Sequence, residues 1–157
     1  MATDDDGSGE RRGARIPSRR ALKVLAETHI WVNRLSRGRL GNTTHGHEVC
    51  FVTMTGAKTG RKITKPLIYV PHDDGVLLVA SLGGGPKNPV WYHNLVAHPQ
   101  IDVRHRGRSI RLAARLATRD EKPALWPICD AAFSPYAEYR TKTDRDIPIF
   151  VCEAVRH

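Results

Sequence analysis

Residues 49–81, VCFVTMTGAKTGRKITKPLIYVPHDDGVLLVAS, hold three apolar runs separated by two turn signals. Val49–Thr55 (VCFVTMT), Thr64–Val70 (TKPLIYV) and Val76–Ser81 (VLLVAS) are short and rich in β-branched and aromatic residues, which predicts strands rather than helices. Gly-Ala-Lys-Thr-Gly-Arg-Lys between the first two reads as a hairpin connection. Asp73-Asp74-Gly75 marks a tight turn into the third. Two hairpins in succession predict antiparallel strands.

Downstream, a Gly-rich loop at Leu82–Asn88 leads to a short helix at Pro89–Ala97, with proline near its first turn. Ile101–His105 and Ser109–Leu116 form a further hairpin around Arg106-Gly107. Helical stretches near Asp120–Ala132 and Pro135–Lys142 precede a last strand, Ile147–Cys152. Upstream, residues 1–17 are rich in Gly, Asp and Arg and read as a disordered tail. Residues 18–40 read as an amphipathic helix, with Ser18 as N-cap and Leu22, Leu25, Val32 and Leu35 on its apolar side. That helix either packs on its own domain, lies on an anionic membrane or closes over a ligand. The expected organisation is therefore tail, helix, and one mainly β (α+β) domain over 41–157, with about six antiparallel strands. Regular βαβ alternation is missing, which disfavours a Rossmann-type dinucleotide enzyme.

Composition narrows the function classes. The 157 residues are 40% apolar and 26% charged, as in an ordinary folded protein. No apolar run is long enough to span a bilayer, and the N-terminus does not read as a secretory signal. Cys50, Cys129 and Cys152 are too scattered for a disulfide scaffold or zinc site and suit a reducing cytoplasm. The charge is +9, with 25 Lys and Arg against 16 Asp and Glu. Its excess is spread along the chain and calls for an anionic partner: nucleic acid, lipid headgroups or a phosphorylated cofactor. Aromatic residues do not interleave with the basic runs as a nucleic-acid stacking platform requires, so nucleic acid is disfavoured.

Two loops are candidates for holding an anion. Lys58, Arg61, Lys62 and Lys65 fall within eight residues around Thr59 and Gly60, either as a phosphate or carboxylate site or as a solvated hairpin tip. Ser81-Leu82-Gly83-Gly84-Gly85-Pro86-Lys87-Asn88 runs from a strand into a helix start, so backbone amides there can face a ligand. It matches neither a P-loop nor GxGxxG. His45-Gly46-His47 with Cys50 reads as loop histidines, and no metal site is expected. Trp91 and Trp126 read as packing residues, with a ligand role open for Trp91. Tyr136 and Tyr139 lie on one helical face and either present hydroxyls to a pocket or pack there.

From Phe51 to Glu153 the chain resembles the deazaflavin-dependent nitroreductase and F420H2-dependent quinone reductase family of actinobacteria. The matching pieces are Thr-Gly-x-Lys-Thr-Gly at 55–60, Pro66-Leu67, Val79-Ala80-Ser81 leading into Gly83-Gly84, and Lys87-Asn88-Pro89-x-Trp91-Tyr92-x-Asn94-Leu95. His98-Pro99, Trp126-Pro127, Tyr136-x-x-Tyr139, Thr143-Asp144-Arg145 and Ile147-Pro148 continue it in the same order. The resemblance implies a split β-barrel that binds reduced coenzyme F420 in a cationic groove. It makes Lys58 the clearest anion-binding residue, with Thr59, Gly60, Arg61, Lys62, Lys65 and Pro66 beside it. Ala80, Ser81, Leu82, Gly83, Lys87, Asn88, Val90, Trp91 and Asn94 would line the cofactor. Tyr136 and Tyr139, with Ser81, would border the acceptor and assist its reduction.

The sequence also departs from the nitroreductase pattern. Ala57 and Ile63 stand where that enzyme has arginines, Leu82 replaces a lysine, and Ile68 and Phe133 replace tyrosines. These exchanges imply a less polar pocket. The expected activity is hydride transfer from reduced F420 to a quinone or an activated enone or nitro acceptor. The alternatives are an F420-binding storage protein and an FMN- or haem-binding split barrel. The expected location is cytoplasmic, with peripheral membrane contact through residues 18–40; oligomeric state is left open.

Overall fold

The computed structural model describes residues 43–44 and 46–155. The tail and helix expected over 1–40 lie outside the described residues. In chain order the elements are β1 (Thr43–Thr44), β2 (His47–Thr55), β3 (Lys62–Ile68), β4 (Val70–His72) and β5 (Gly75–Val79). A single 3₁₀ turn (Leu82–Gly84) and α1 (Val90–Ala97) follow, then β6 (Gln100–His105) and β7 (Arg108–Leu116). The chain ends with α2 (Lys122–Ala132), α3 (Pro135–Thr141) and β8 (Ile149–Ala154).

All strand pairs among the described residues are antiparallel, in the order β1-β2-β6-β7-β8-β5-β4, with β3 on the other side of β2. The path does not close, so this is an open, split barrel. About six strands were expected; the structure adds β1 and divides the run 64–70 at Tyr69 into β3 and β4. The division has a clear partner basis: β3 pairs with β2, whereas β4 turns to pair with β5. The last strand starts at Ile149, later than the sequence suggests. Ile147 is instead held by its carbonyl to Lys122 Nζ at 3.0 Å, and Pro148 has no N–H for a ladder.

Strand periodicity separates two cores. On β5, Val76 and Leu78 point into one cluster and Leu77 and Val79 into the other; on β8, Phe150 and Cys152 alternate in the same way with Ile149 and Val151. The first cluster fills the barrel with Cys50, Val52, Met54, Leu95 and Leu112. The second lies under α2 and α3, with Leu125, Cys129 and Tyr136. Burial on both faces explains why VLLVAS and IPIFVC read as unbroken apolar runs. Edge strand β3 behaves differently: it carries exposed Lys62 and Lys65, together with Pro66, where no second partner needs its amide.

At the start of β5, backbone lies against backbone. A Cβ on Gly75 would overlap the carbonyl of Cys152 on the neighbouring strand. Gly75→Ala should therefore destabilise the protein by on the order of 1–3 kcal/mol, read as a lower urea midpoint with an unchanged slope.

Candidate functional site

A cleft of about 600 Å³ opens beside the second core, between the start of β2, strand β3, the Gly-rich loop and the α2–α3 corner. Its walls are mainly apolar, from Val49, Leu67, Ile68, Val79 and Phe133 among others. Polar groups are few: His47, Ser81, Tyr136 and Tyr139. An apolar cleft with sparse polar groups suits a planar organic ligand.

The Gly-rich loop forms one side. Leu82, Gly83 and Gly84 have φ of 45°, 64° and 78°, three successive residues in the left-handed region. Gly84 permits the loop to lie against α3, where an added Cβ would come within 2.7 Å of the Tyr139 carbonyl oxygen. Gly83 lines the cleft, and a Cβ there would meet nothing within 4 Å. The space beside it is open.

Arg145 holds this shape. Its guanidinium donates to the carbonyls of Gly85 (2.8 Å), Ala80 (3.0 Å) and Ser81 (2.8 Å) and to Asn88 Oδ1 (2.7 Å). All four acceptors are neutral, and desolvation lowers the arginine's pKa from its ordinary value. The sequence motif Thr143-Asp144-Arg145 carried no assigned role, because nothing in spacing reveals that its arginine reaches back some sixty positions. Asn88 thereby serves the loop's shape. Ala80 is likewise committed through its backbone, its N–H donating to Pro148 O at 2.9 Å.

The basic hairpin is exposed. Gly60 N–H donates to Gly56 O, Gly56 N–H donates to Arg61 O, both at 2.8 Å, and Lys62 Nζ donates to Thr55 Oγ1 at 3.1 Å. Among the described residues, no carboxylate pairs with Lys58, Arg61, Lys62, Lys65 or Lys87 within salt-bridge distance. Asn94 couples this hairpin to α1. Its side chain is buried, accepts from Ala57 N–H at 2.9 Å and reaches Met54 Sδ at 3.6 Å.

Of the residues singled out from sequence, Pro66, Ser81, Leu82, Gly83, Trp91, Tyr136 and Tyr139 line the cleft. Lys58, Thr59, Gly60, Arg61 and Lys62 lie on the neighbouring hairpin, Lys65 on β3, and Val90 is exposed at the start of α1. Trp91 also packs on Phe150, their rings 5.9 Å apart. Tyr136 is 4% exposed, its ring centre 6.3 Å from that of Tyr139, and burial pushes its phenol well above the ordinary range.

One residue is repositioned outright. His47, read from sequence as a loop histidine, begins β2 and lines the cleft, with its ring edge-on to Phe133 at 4.7 Å. The alternation His47, Val49 along one strand face was the available signal, masked by the glycine just before it. Among the described residues, no three His, Cys, Asp or Glu side chains come together to hold a metal. Nor is any described helix long and apolar enough to cross a membrane.

Comparison with known proteins gives this geometry a context. The model of the F420H(2)-dependent quinone reductase family matches residues 25–154. A Mycobacterium tuberculosis protein named F420H(2)-dependent quinone reductase is 34% identical over 131 residues, covering 81% of this chain and 88% of the relative. Among solved structures, an F420-H2 dependent reductase is 40% identical with a TM-score of 0.63, covering 67% of this chain and 93% of that one. A domain-swapped dimer is 36% identical with a TM-score of 0.64, covering 82% and 100%. With the family pattern spanning nearly all of the described residues and the open barrel shared with solved relatives, this chain belongs to the F420H(2)-dependent quinone reductases.

Proposed function

We propose that the cleft binds reduced coenzyme F420 together with a quinone-like acceptor, and that the chain reduces the acceptor there. The observation that carries this reading is one apolar cleft bordered by a left-handed glycine loop and, close by, a set of unneutralised cations. When bound, the reduced deazaflavin supplies a hydride, two electrons with one hydrogen, to the acceptor. A flat ring system suits the apolar walls, and the open space at Gly83 gives room for close approach. Lys58, Arg61, Lys62 and Lys65 would hold the cofactor's phosphate and acidic tail, and Lys87 would add charge at the loop. Trp91 and Leu82 would flank the ring.

The chain's own contribution is positioning and hydrogen bonding. Arg145 fixes the loop carbonyls, leaving Ser81 8% exposed at the cleft wall. Ser81, Tyr136 and Tyr139 would donate to the acceptor oxygen as charge develops on it, and their apolar neighbours would limit water. Because burial holds the proton on Tyr136, this phenol stays a donor throughout the neutral range. Replacement of polar positions by Ile68 and Phe133 favours quinones and activated enones over bulkier nitroaromatics.

A lipid-soluble quinone would be met at a membrane. The basic segment around Arg19, Arg20 and Lys23 supplies attraction to anionic headgroups. The full chain should cosediment with anionic vesicles and release when Arg19, Arg20 and Lys23 are all changed to Glu; equal sedimentation of both forms would contradict membrane contact.

Two substitutions test the cleft directly. Lys58→Ala should weaken F420 binding by up to about tenfold, more at low salt than at high, in a fluorescence titration. Tyr136→Phe should lower kcat with menadione by on the order of 10²-fold while leaving F420 affinity nearly unchanged. Parallel losses of turnover and affinity would assign Tyr136 a packing role instead.

A further inference from the structure

Reduction of a quinone by hydride leaves one acceptor oxygen in need of a proton. The cleft holds few groups able to give one. Among the described residues, no Asp, Glu, Lys, Arg or Cys lines it, and its titratable side chains are His47, Tyr136 and Tyr139. Tyrosine ordinarily keeps its proton until about pH 10, whereas imidazole exchanges near pH 6.5. Tyr136 is shifted further from neutrality by burial. Among the described lining residues, His47 is thus the side chain whose type suits proton delivery.

We propose that His47 is the general acid of the reaction, its imidazolium protonating the acceptor oxygen. This rests on the reading that the acceptor is reduced in this cleft. His47 sits at the end of the cleft where Phe133, Tyr136 and Tyr139 gather; the Phe133 and Tyr136 rings lie 4.8 Å apart. The edge-on contact with Phe133, at an interplanar angle of 77°, orients the imidazole. As the acceptor gains the hydride and its electron pair, the imidazolium N–H bond breaks and an O–H bond forms on the acceptor. The neutral imidazole regains a proton from water through the open cleft.

The surroundings of His47 are electrically sparse. The other polar side chains lining the cleft with it are Ser81, Tyr136 and Tyr139. The groove behind it, towards α2, is walled by Pro127, Ile128, Ala131 and Ala132, with Glu48 from β2 and Tyr69 from the break between β3 and β4. Glu48 is engaged elsewhere: its carboxylate pairs with Arg106 and lies 3.7 Å from His105 Nε2. Among the described residues, no carboxylate pairs with His47 within salt-bridge distance.

The test compares the wild type with His47→Gln, with and without turnover. For the wild type, kcat/KM with menadione should fall as pH rises, because the acid form is lost. In His47→Gln, the rate at pH 6 should fall by about 10²-fold, that descending limb should vanish, and the two enzymes should converge at high pH. Without cofactor, the anion of 2-hydroxy-1,4-naphthoquinone serves as a mimic of the developing oxyanion. Its binding should raise the His47 pKa followed by NMR, and its affinity for the wild type, but not for His47→Gln, should drop with rising pH. A pH profile unchanged by the substitution, or a His47 titration indifferent to the anion, would overturn the assignment. Failure of the wild type itself to oxidise F420H2 would instead overturn the reading on which it rests.

Discussion

The four hydrogen bonds from Arg145 to the loop at 80–88 are the constraint on which the site depends. A segment with three consecutive left-handed residues is entropically costly and would sample many shapes. The guanidinium removes that freedom by engaging three loop carbonyls and the Asn88 amide oxygen at once, from a chain segment just ahead of β8. Among the described residues no carboxylate pairs with this arginine, so the side chain that fixes the loop's shape also places a positive charge beside it.

Strand alternation explains why the cleft lies where it does. Residues of β5 and β8 supply both cores, so the barrel interior and the helix-covered face are joined through shared strands. The cleft opens beside the helix-covered face, walled by Val79 from β5 and by His47 and Val49 from β2. Asn94 adds a second link, fastening the start of the cationic hairpin to α1 through the Ala57 amide. The hairpin itself stays solvated, and an edge strand rich in lysine resists pairing with other chains.

Much of the fold was legible in sequence because its signals are local. The runs VCFVTMT and VLLVAS, the Asp73-Asp74-Gly75 turn and the proline opening α1 all act through neighbouring residues. Boundaries that depend on distant partners were not legible. Tyr69 divides two strands because one edge pairs with β2 and the other with β5, a fact of topology. The site follows the same rule. Ser81, Gly83, Trp91, Tyr136 and Tyr139 sit in recognisable motifs and converge on the cleft; Arg145 also sits in one, but its contacts lie some sixty positions back, and His47 sits in none. His47 in particular looked like a loop residue because Gly46 precedes it, and only its pairing with Thr44 reveals a strand.

Family membership fixes the reductant, and the apolar, sparsely polar cleft argues for a flat, weakly polar acceptor. The central claim is that this cleft and the cations beside it hold the deazaflavin. Fluorescence titration of F420 with the full chain at rising sodium chloride tests it most directly. Saturable binding that weakens steadily with salt is expected if exposed cations hold the anionic tail while apolar walls hold the ring. Absence of saturable binding at low salt would contradict it.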